Sequence, residues 1–187
     1  ISRNRNVRVV VLTGAGRGFC AGLDLGGYGD APGFEWHGAM EKGLAVQKHI
    51  ASLIPRLRSL PQPVIAAVNG AASGGGFALV LGSDVRLCAH SAKFNAAFIR
   101  IGLSACDIGT SWLLPRLIGA SRAQELMLTG RLIGSEEAAR IGLVVESFPD
   151  DVLLDAAFAK ADEIMQNTPI GVALTKEGMW SALEIPG

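Results

Sequence analysis

From Pro63 to Asp84 the chain reads PVIAAVNGAASGGGFALVLGSD, and its hydrophobic pattern changes character twice. Val64 to Val68 is apolar without alternation, which predicts a strand covered on both faces. Asn69-Gly70 interrupts the run, three glycines (Gly74, Gly75, Gly76) follow, and FALVLGSD predicts a short helix. A β-branched run from Val7 to Leu12 (VRVVVL) predicts another buried strand, with the glycine-rich TGAGRGFCAG of residues 13–22 as the loop after it. The glycine-rich stretch from Gly26 to Gly33 is expected to be mobile. Between about Phe34 and Leu60, apolar residues including Trp36, Met40, Leu44, Ile50, Ile54 and Leu57 recur at mostly helical spacing. Pro55 is expected to kink or split that helix, because proline removes one backbone donor.

Downstream, DVRLCA (84–89) and AKFNAA (92–97) predict short strands, and residues 102–109 an irregular segment. A helix disturbed by Pro115 is expected over 110–118, and another, capped by Ser121, over 121–129. Ser135 followed by Glu136 and Glu137 reads as an N-cap with acids in the first turn. Val144-Val145 reads as a small strand. An amphipathic helix should run from Asp150 or Asp151 to about Gln166, and a last one from Pro169 to near Pro186. No repeat at a fixed period and no low-complexity region is visible.

Composition narrows the class. With 187 residues the chain suits one domain with a sizeable core; 49% hydrophobic content and 24 glycines fit a compact α/β protein with tight turns. Lys+Arg and Asp+Glu each total 17, and no basic stripe points to nucleic acid. Cys20, Cys88 and Cys106 are far apart, odd in number and without a CxxC pair, which argues against a disulfide framework or a zinc site. No metal is expected, and a reducing, cytoplasmic setting fits best. The longest apolar runs fall short of the roughly 20 residues that span a bilayer, and no signal peptide is visible. The chain opens with Ile1 rather than Met, so it is expected to be part of a longer product.

The triple glycine carries the first chemical suggestion. Glycines at a strand-to-helix turn allow φ > 0 and let a ligand approach the main chain. Amides that open a helix have no partner within it and carry the positive end of its dipole. Such a turn can hold a negatively charged oxygen without any side chain; equally, it can be a tight turn packed under a neighbouring helix. The loop at 13–22 does not make a dinucleotide site: the third glycine of GxGxxG would fall on Phe19, and no helical pattern follows directly.

Three stretches together, VRVVVLTGAGRGFCAGLDL, PVIAAVNGAASGGGFALVLGSDVRL and the run from Trp112 to Val145 with LLPRLIG, ELMLTGR and AARIGLV, resemble the crotonase superfamily, the enoyl-CoA hydratase/isomerase family, in order and spacing over most of the chain. The resemblance implies an α/β fold built as a spiral of ββα units, with C-terminal trimerisation helices. It implies a core of residues 1–130 with an acyl-CoA pocket, a helical region of residues 131–187 used in oligomerisation, and a homotrimer or hexamer. Family chains usually begin some tens of residues earlier and run past Gly187, so both ends are expected to be missing here, including N-terminal residues that help hold coenzyme A. Coenzyme A enters as part of the substrate, and no separate cofactor is implied.

The resemblance also assigns roles. In the family two backbone amides receive the thioester oxygen as it becomes an enolate, and by motif these fall on Leu23 and Gly75. Ala21, Asp24 and Leu25 are implied as coenzyme A contacts, and Gly74 and Phe98 as substrate-binding positions. The two glutamates of the family's hydratases fall on Ala78 and Phe98, neither of which can take a proton. Asp107, in GLSACDIGTSW, aligns with an aspartate of the dienoyl-CoA isomerases, where it transfers a proton, and of the 4-chlorobenzoyl-CoA dehalogenases, where it is the nucleophile. Asp107 also precedes a helical pattern, so a capping role stays open. His37 could be an auxiliary group, and Trp112 could line the acyl pocket. Two other functions compete: a non-catalytic acyl-CoA binder, and a serine hydrolase using Ser73, as in the fold-related Clp protease. A triad needs a histidine base, and the position of the Clp histidine falls near Ala96.

Overall fold

The computed structural model of the protein describes all residues except 3, 5, 25, 28, 35, 36 and 185–187. Among the described residues eight strands form two four-stranded sheets, and strands β1 to β6 alternate between them. β1 (Val10–Thr13), β3 (Val64–Val68), β5 (Val85–Ala89) and β8 (Glu146–Phe148) make the first sheet in that order, all parallel. β2 (Gly18–Cys20), β4 (Ala71–Ser73), β6 (Lys93–Asn95) and β7 (Ile133–Gly134) make the second, parallel except for the β6–β7 pair. Each turn of the chain thus gives one strand to each sheet and then returns through helix: α1 (Ala39–Ala51) and α2 (Leu53–Arg58), then α3 (Gly75–Gly82), then α4 (Thr110–Ile118) and α5 (Ala120–Thr129). The result is a spiral of ββα units. α6 (Ser135–Arg140), α7 (Leu153–Met165) and α8 (Pro169–Glu184) complete the described chain.

The unbroken apolar run of β3 follows from burial on both faces. Ile65 and Ala67 pack with Leu87, Ala89 and the α7 residues Leu153, Ala157 and Ala161. Ala66 and Val68 face the other way, into the main core with Phe77, Val80, Leu81 and Leu114. The helix expected over 34–60 divides at Ser52, and Pro55 lies in the first turn of α2, where its missing N–H would have had no acceptor within the helix.

Several expectations are corrected. The glycine-rich loop at 13–22 contains β2, and the glycine turn contains β4; both are strands of only three residues, too short to show a pattern. The irregular 102–109 segment is flanked by a 3₁₀ turn at Ala97–Ile101 and closes in another at Asp107–Gly109. Ser121 caps nothing: α5 starts one residue earlier, after Gly119 at φ 82°. Ser135 is the first helical residue of α6, and its hydroxyl donates to the His90 carbonyl at 2.8 Å. The expected strand at 144–145 begins two residues later, as β8.

α8 is fastened to the start of the first sheet by a buried ionic cluster. Asp84 Oδ2 accepts from Lys176 Nζ at 2.7 Å and from Val64 N at 2.7 Å; Asp84 Oδ1 accepts from Trp180 Nε1 at 3.0 Å. Lys176 Nζ also donates to the Gln62 carbonyl at 3.0 Å. Beside them, buried Arg86 donates to the Leu143 carbonyl at 2.8 Å and the Ser83 carbonyl at 2.7 Å. Burial pulls the Arg86 guanidinium below its usual range, and the Asp84 charge opposes that shift. No described helix is long and apolar enough to cross a membrane.

Candidate active site

β2, β4 and β6 run parallel in one sheet, so the segments leaving their C-terminal ends emerge along one edge. Ligands of open parallel sheets bind at that edge. A cavity of about 630 Å³ lies there. It is lined by Ala21 and Leu23 after β2, Gly74 and Gly75 after β4, and Phe98 and Asp107 after β6. One face of α1, with Lys42, Val46 and Ile50 four residues apart, lines it too.

The glycine turn assigns each of its three residues a different task. Gly74 has φ 51° and ψ −116°, a conformation that side-chain-bearing residues rarely adopt. Its N–H donates to the Asn95 carbonyl at 3.1 Å, and its carbonyl accepts from Ala78 N at 3.0 Å as the first bond of α3. In a trans peptide the next N–H points opposite to the carbonyl. The Gly74 carbonyl points into α3, so the Gly75 N–H points back out of the helix N-terminus. That donor has no acceptor within the helix and lies at the positive end of its dipole. Gly76 permits contact: an added Cβ would fall 2.1 Å from the Cys20 carbonyl oxygen, so only glycine lets α3 approach β2 this closely.

The loop after β2 lies directly against this turn. A Cβ built on Gly75 would be 3.6 Å from Ile108 Cδ1, 3.7 Å from Gly22 Cα and 3.9 Å from Leu23 Cγ. One built on Gly22, itself at φ 105°, would be 3.4 Å from Gly75 N.

Asp107 is half-buried, and its Oδ1 accepts the N–H of Ile108 at 2.8 Å. It does not cap α4, whose N-cap is Gly109. Ile108, buried and β-branched, is held at φ 47°, an outlier for such a residue. Ala78 is fully buried in α3 and lies outside the cavity lining. The Phe98 ring sits 3.6 Å from the Cβ position of Gly74.

Other expected positions are not brought together. Asp24 is exposed, does not line the cavity, and its Oδ1 accepts from Gly26 N at 2.8 Å. Leu25 lies outside the described residues. His37 is exposed, packs against Phe34 with ring centroids 4.8 Å apart at a tilt of 40°, and does not line the cavity. Trp112 borders a separate cavity of about 670 Å³ and stands between Arg58 and Arg116, whose guanidinium carbons lie 4.6 and 3.9 Å from its ring centroid. The Ser73 hydroxyl donates to Asn95 Oδ1, not to a histidine, and Ala96 is fully buried, so the base a serine hydrolase needs is missing from the described residues around Ser73. Sequence reasoning passed over Asn95, Lys42 and Ile108; the helical spacing of 42, 46 and 50 is the one signal that could have found any of them.

A family model described as enoyl-CoA hydratase/isomerase matches residues 1–186. The probable enoyl-CoA hydratase EchA12 of Mycobacterium tuberculosis (strain ATCC 25618 / H37Rv) is 49% identical over 184 residues, which cover 98% of this chain and 65% of that protein. The 1,2-epoxyphenylacetyl-CoA isomerase of Escherichia coli (strain K12) is 40% identical over 182 residues, 97% of this chain and 68% of that one. A crystal structure of a probable enoyl-CoA hydratase/isomerase from Mycobacterium abscessus superposes with a TM-score of 0.92 at 42% identity, covering 100% of this chain and 68% of the other. The chain therefore spans about two thirds of the length of the proteins it resembles.

Proposed function

The chain belongs to the enoyl-CoA hydratase/isomerase family, and on that premise we propose that it is an acyl-CoA thioester isomerase working through an enolate held by the amides of Leu23 and Gly75. Asp107 takes a proton from C2 of a 3-enoyl thioester, the electron pair moves onto the thioester oxygen, and return of the proton at C4 leaves the double bond conjugated with the carbonyl. The observation that carries the reading is that Leu23, Gly75 and Asp107 line one cavity; it is supported by Ala78 and Phe98 standing where the family resemblance puts the hydratase glutamates. Each backbone donor of this kind lowers a barrier by about 2.7–4 kcal/mol.

A double-bond shift needs one carboxylate; hydration by the usual route needs two, so isomerisation ranks first. The Escherichia coli relative is named an isomerase and EchA12 a probable hydratase, so the names leave the order to the site. Coenzyme A enters as part of the substrate, with no further cofactor. A trimeric or hexameric assembly in the cytoplasm belongs to the same proposal, tested by the mass of the protein in solution and by fractionation.

The deciding experiment follows a 3-enoyl-CoA thioester in D₂O by NMR. Wild-type protein should isomerise it with deuterium entering at C2 and C4, and Asp107→Asn should slow both by about 10²–10⁴-fold. Unchanged exchange in Asp107→Asn removes the aspartate from the mechanism. Binding without exchange by the wild type makes the protein an acyl-CoA binder instead.

A further inference from the structure

We infer that Asn95 is a positioning residue, which aims the Gly75 amide by clamping the glycine turn from the end of β6. The inference rests on the proposed function, since it concerns how the same oxyanion site is held.

Asn95 is the last residue of β6 and stands opposite Ser73 in the parallel register. It is 8% exposed, and every polar group it turns toward the turn is used. Its carbonyl accepts from Gly74 N at 3.1 Å. Its Oδ1 accepts from the Ser73 hydroxyl, and its Nδ2 donates to the Gly130 carbonyl at 3.1 Å. The Gly130 carbonyl can only accept, and the Ser73 hydroxyl donates to the remaining atom, so the two partners fix the orientation of the amide.

These bonds act on the one peptide whose direction matters. Gly74 has no side chain to resist rotation about ψ, and that rotation would swing the Gly75 N–H out of the cavity. Asn95 holds the N-terminal side of Gly74 through both main chain and side chain, while Ala78 N holds its carbonyl. The far anchor is closely packed. Gly130 closes α5 at φ 59°, and Ile99 and Arg100 approach it so closely that a Cβ there would meet Ile99 Cγ2 at 2.6 Å and Arg100 Cγ at 2.8 Å, which packs the anchor against the segment that carries Phe98. An aspartate at position 95 would lose the donor to Gly130 and bring negative charge behind the developing enolate. The Ser73–Asn95 side-chain bond is additional to the strand ladder, and this makes it separable from folding.

The test compares wild type, Asn95→Ala, Ser73→Ala and the double variant, using crotonyl-CoA as a bound probe. Polarisation by oxyanion donors lowers the carbonyl stretching frequency of the bound thioester, which is read by difference Raman or infrared spectroscopy. The expected result is that both single variants lose much of that red shift and drop kcat for 3-enoyl-CoA by about 10- to 100-fold, with KM within about two-fold, and that the double variant is no worse than Asn95→Ala. A residue serving stability alone would lower the melting temperature and leave the frequency of the bound probe unchanged. If Asn95→Ala does not fold, Ser73→Ala, which removes one hydroxyl and leaves the ladder intact, carries the test. A wild-type red shift retained in full by folded variants overturns the inference alone. Absence of a red shift in the wild type overturns the oxyanion site and the inference with it.

Discussion

The buried cluster under α8 allows a quantitative test of how the C-terminal helix is held. Lys176 is 6% exposed in its side chain and Asp84 15%, and they meet at 2.7 Å. Removing one member of such a pair leaves the other charge buried and costs about 3–5 kcal/mol. The two ends of the bridge should not cost the same. Lys176→Met leaves Asp84 with the Val64 amide, the Trp180 indole and the neighbouring Arg86 charge, so the loss should be about 3 kcal/mol. Asp84→Asn leaves Lys176 and Arg86 together without a counter-ion, and should cost about 5 kcal/mol. At about 2–4 °C per kcal/mol for a chain of this size, the melting temperature should fall by about 6–12 °C and 10–20 °C respectively. Urea unfolding followed by circular dichroism at neutral pH gives both values, with unchanged m confirming that the native state is intact. The double variant should be clearly less damaged than the sum, because it leaves neither member of the pair unpaired. A Lys176→Met loss below about 1 kcal/mol, the range of exposed pairs, or additivity within about 0.5 kcal/mol, would refute the reasoning.

Gly76→Ala would put a Cβ 2.1 Å from the Cys20 carbonyl oxygen and force β2 away from α3. It should destabilise by about 3 kcal/mol and reduce turnover at least about 100-fold by displacing the loop that carries Leu23; a fully active variant would contradict the packing. Burial pushes the Cys88 thiol up to about 12, whereas Cys106 is exposed. Iodoacetamide at pH 8 should therefore label Cys106 quickly and Cys88 only on unfolding, as read by peptide mass spectrometry. Arg131 binds Glu125 at 2.7 Å and Glu137 at 2.8 Å and holds both carboxyls below their usual range. Carboxyls lowered in the folded state stabilise it above their unfolded pKa and lose that contribution as pH falls through the folded one. Arg131→Gln should cost about 1 kcal/mol or less at pH 7, and the cost should start to shrink below the ordinary glutamate pKa of about 4.3 and vanish once the lowered folded-state values are passed, seen as converging acid melting curves.

The parts of the fold legible in the sequence are those where local pattern and tertiary demand agree. β3 is apolar throughout because both its faces are covered, and Pro55 falls in the first turn of a new helix. β2, β4 and β7 were hidden because strands of two or three residues, two of them glycine in all, owe their existence to the neighbours they pair with. Serine caps misled for a related reason: the Ser135 hydroxyl serves a distant carbonyl at His90, not its own helix. The glycine turn was recognisable from chemistry alone, whereas Leu23 and Asp107 came only from motif resemblance, since neither lies in a periodic pattern. Asn95 was invisible because its partners are Ser73, twenty-two residues earlier, and Gly130, thirty-five later.

The alternation of strands between the two sheets has a consequence for how chemistry can change on this scaffold. Each pass of the coil delivers one contribution to the same rim: Leu23 from the first, Gly75 from the second, Phe98 and Asp107 from the third. Contributions made of backbone keep their chemical identity whatever side chain their residue carries, whereas ionisable ones can be deleted from one pass and installed on another. In the proposed mechanism a reaction can thus be re-specified by single replacements while the two main-chain donors stay as they were.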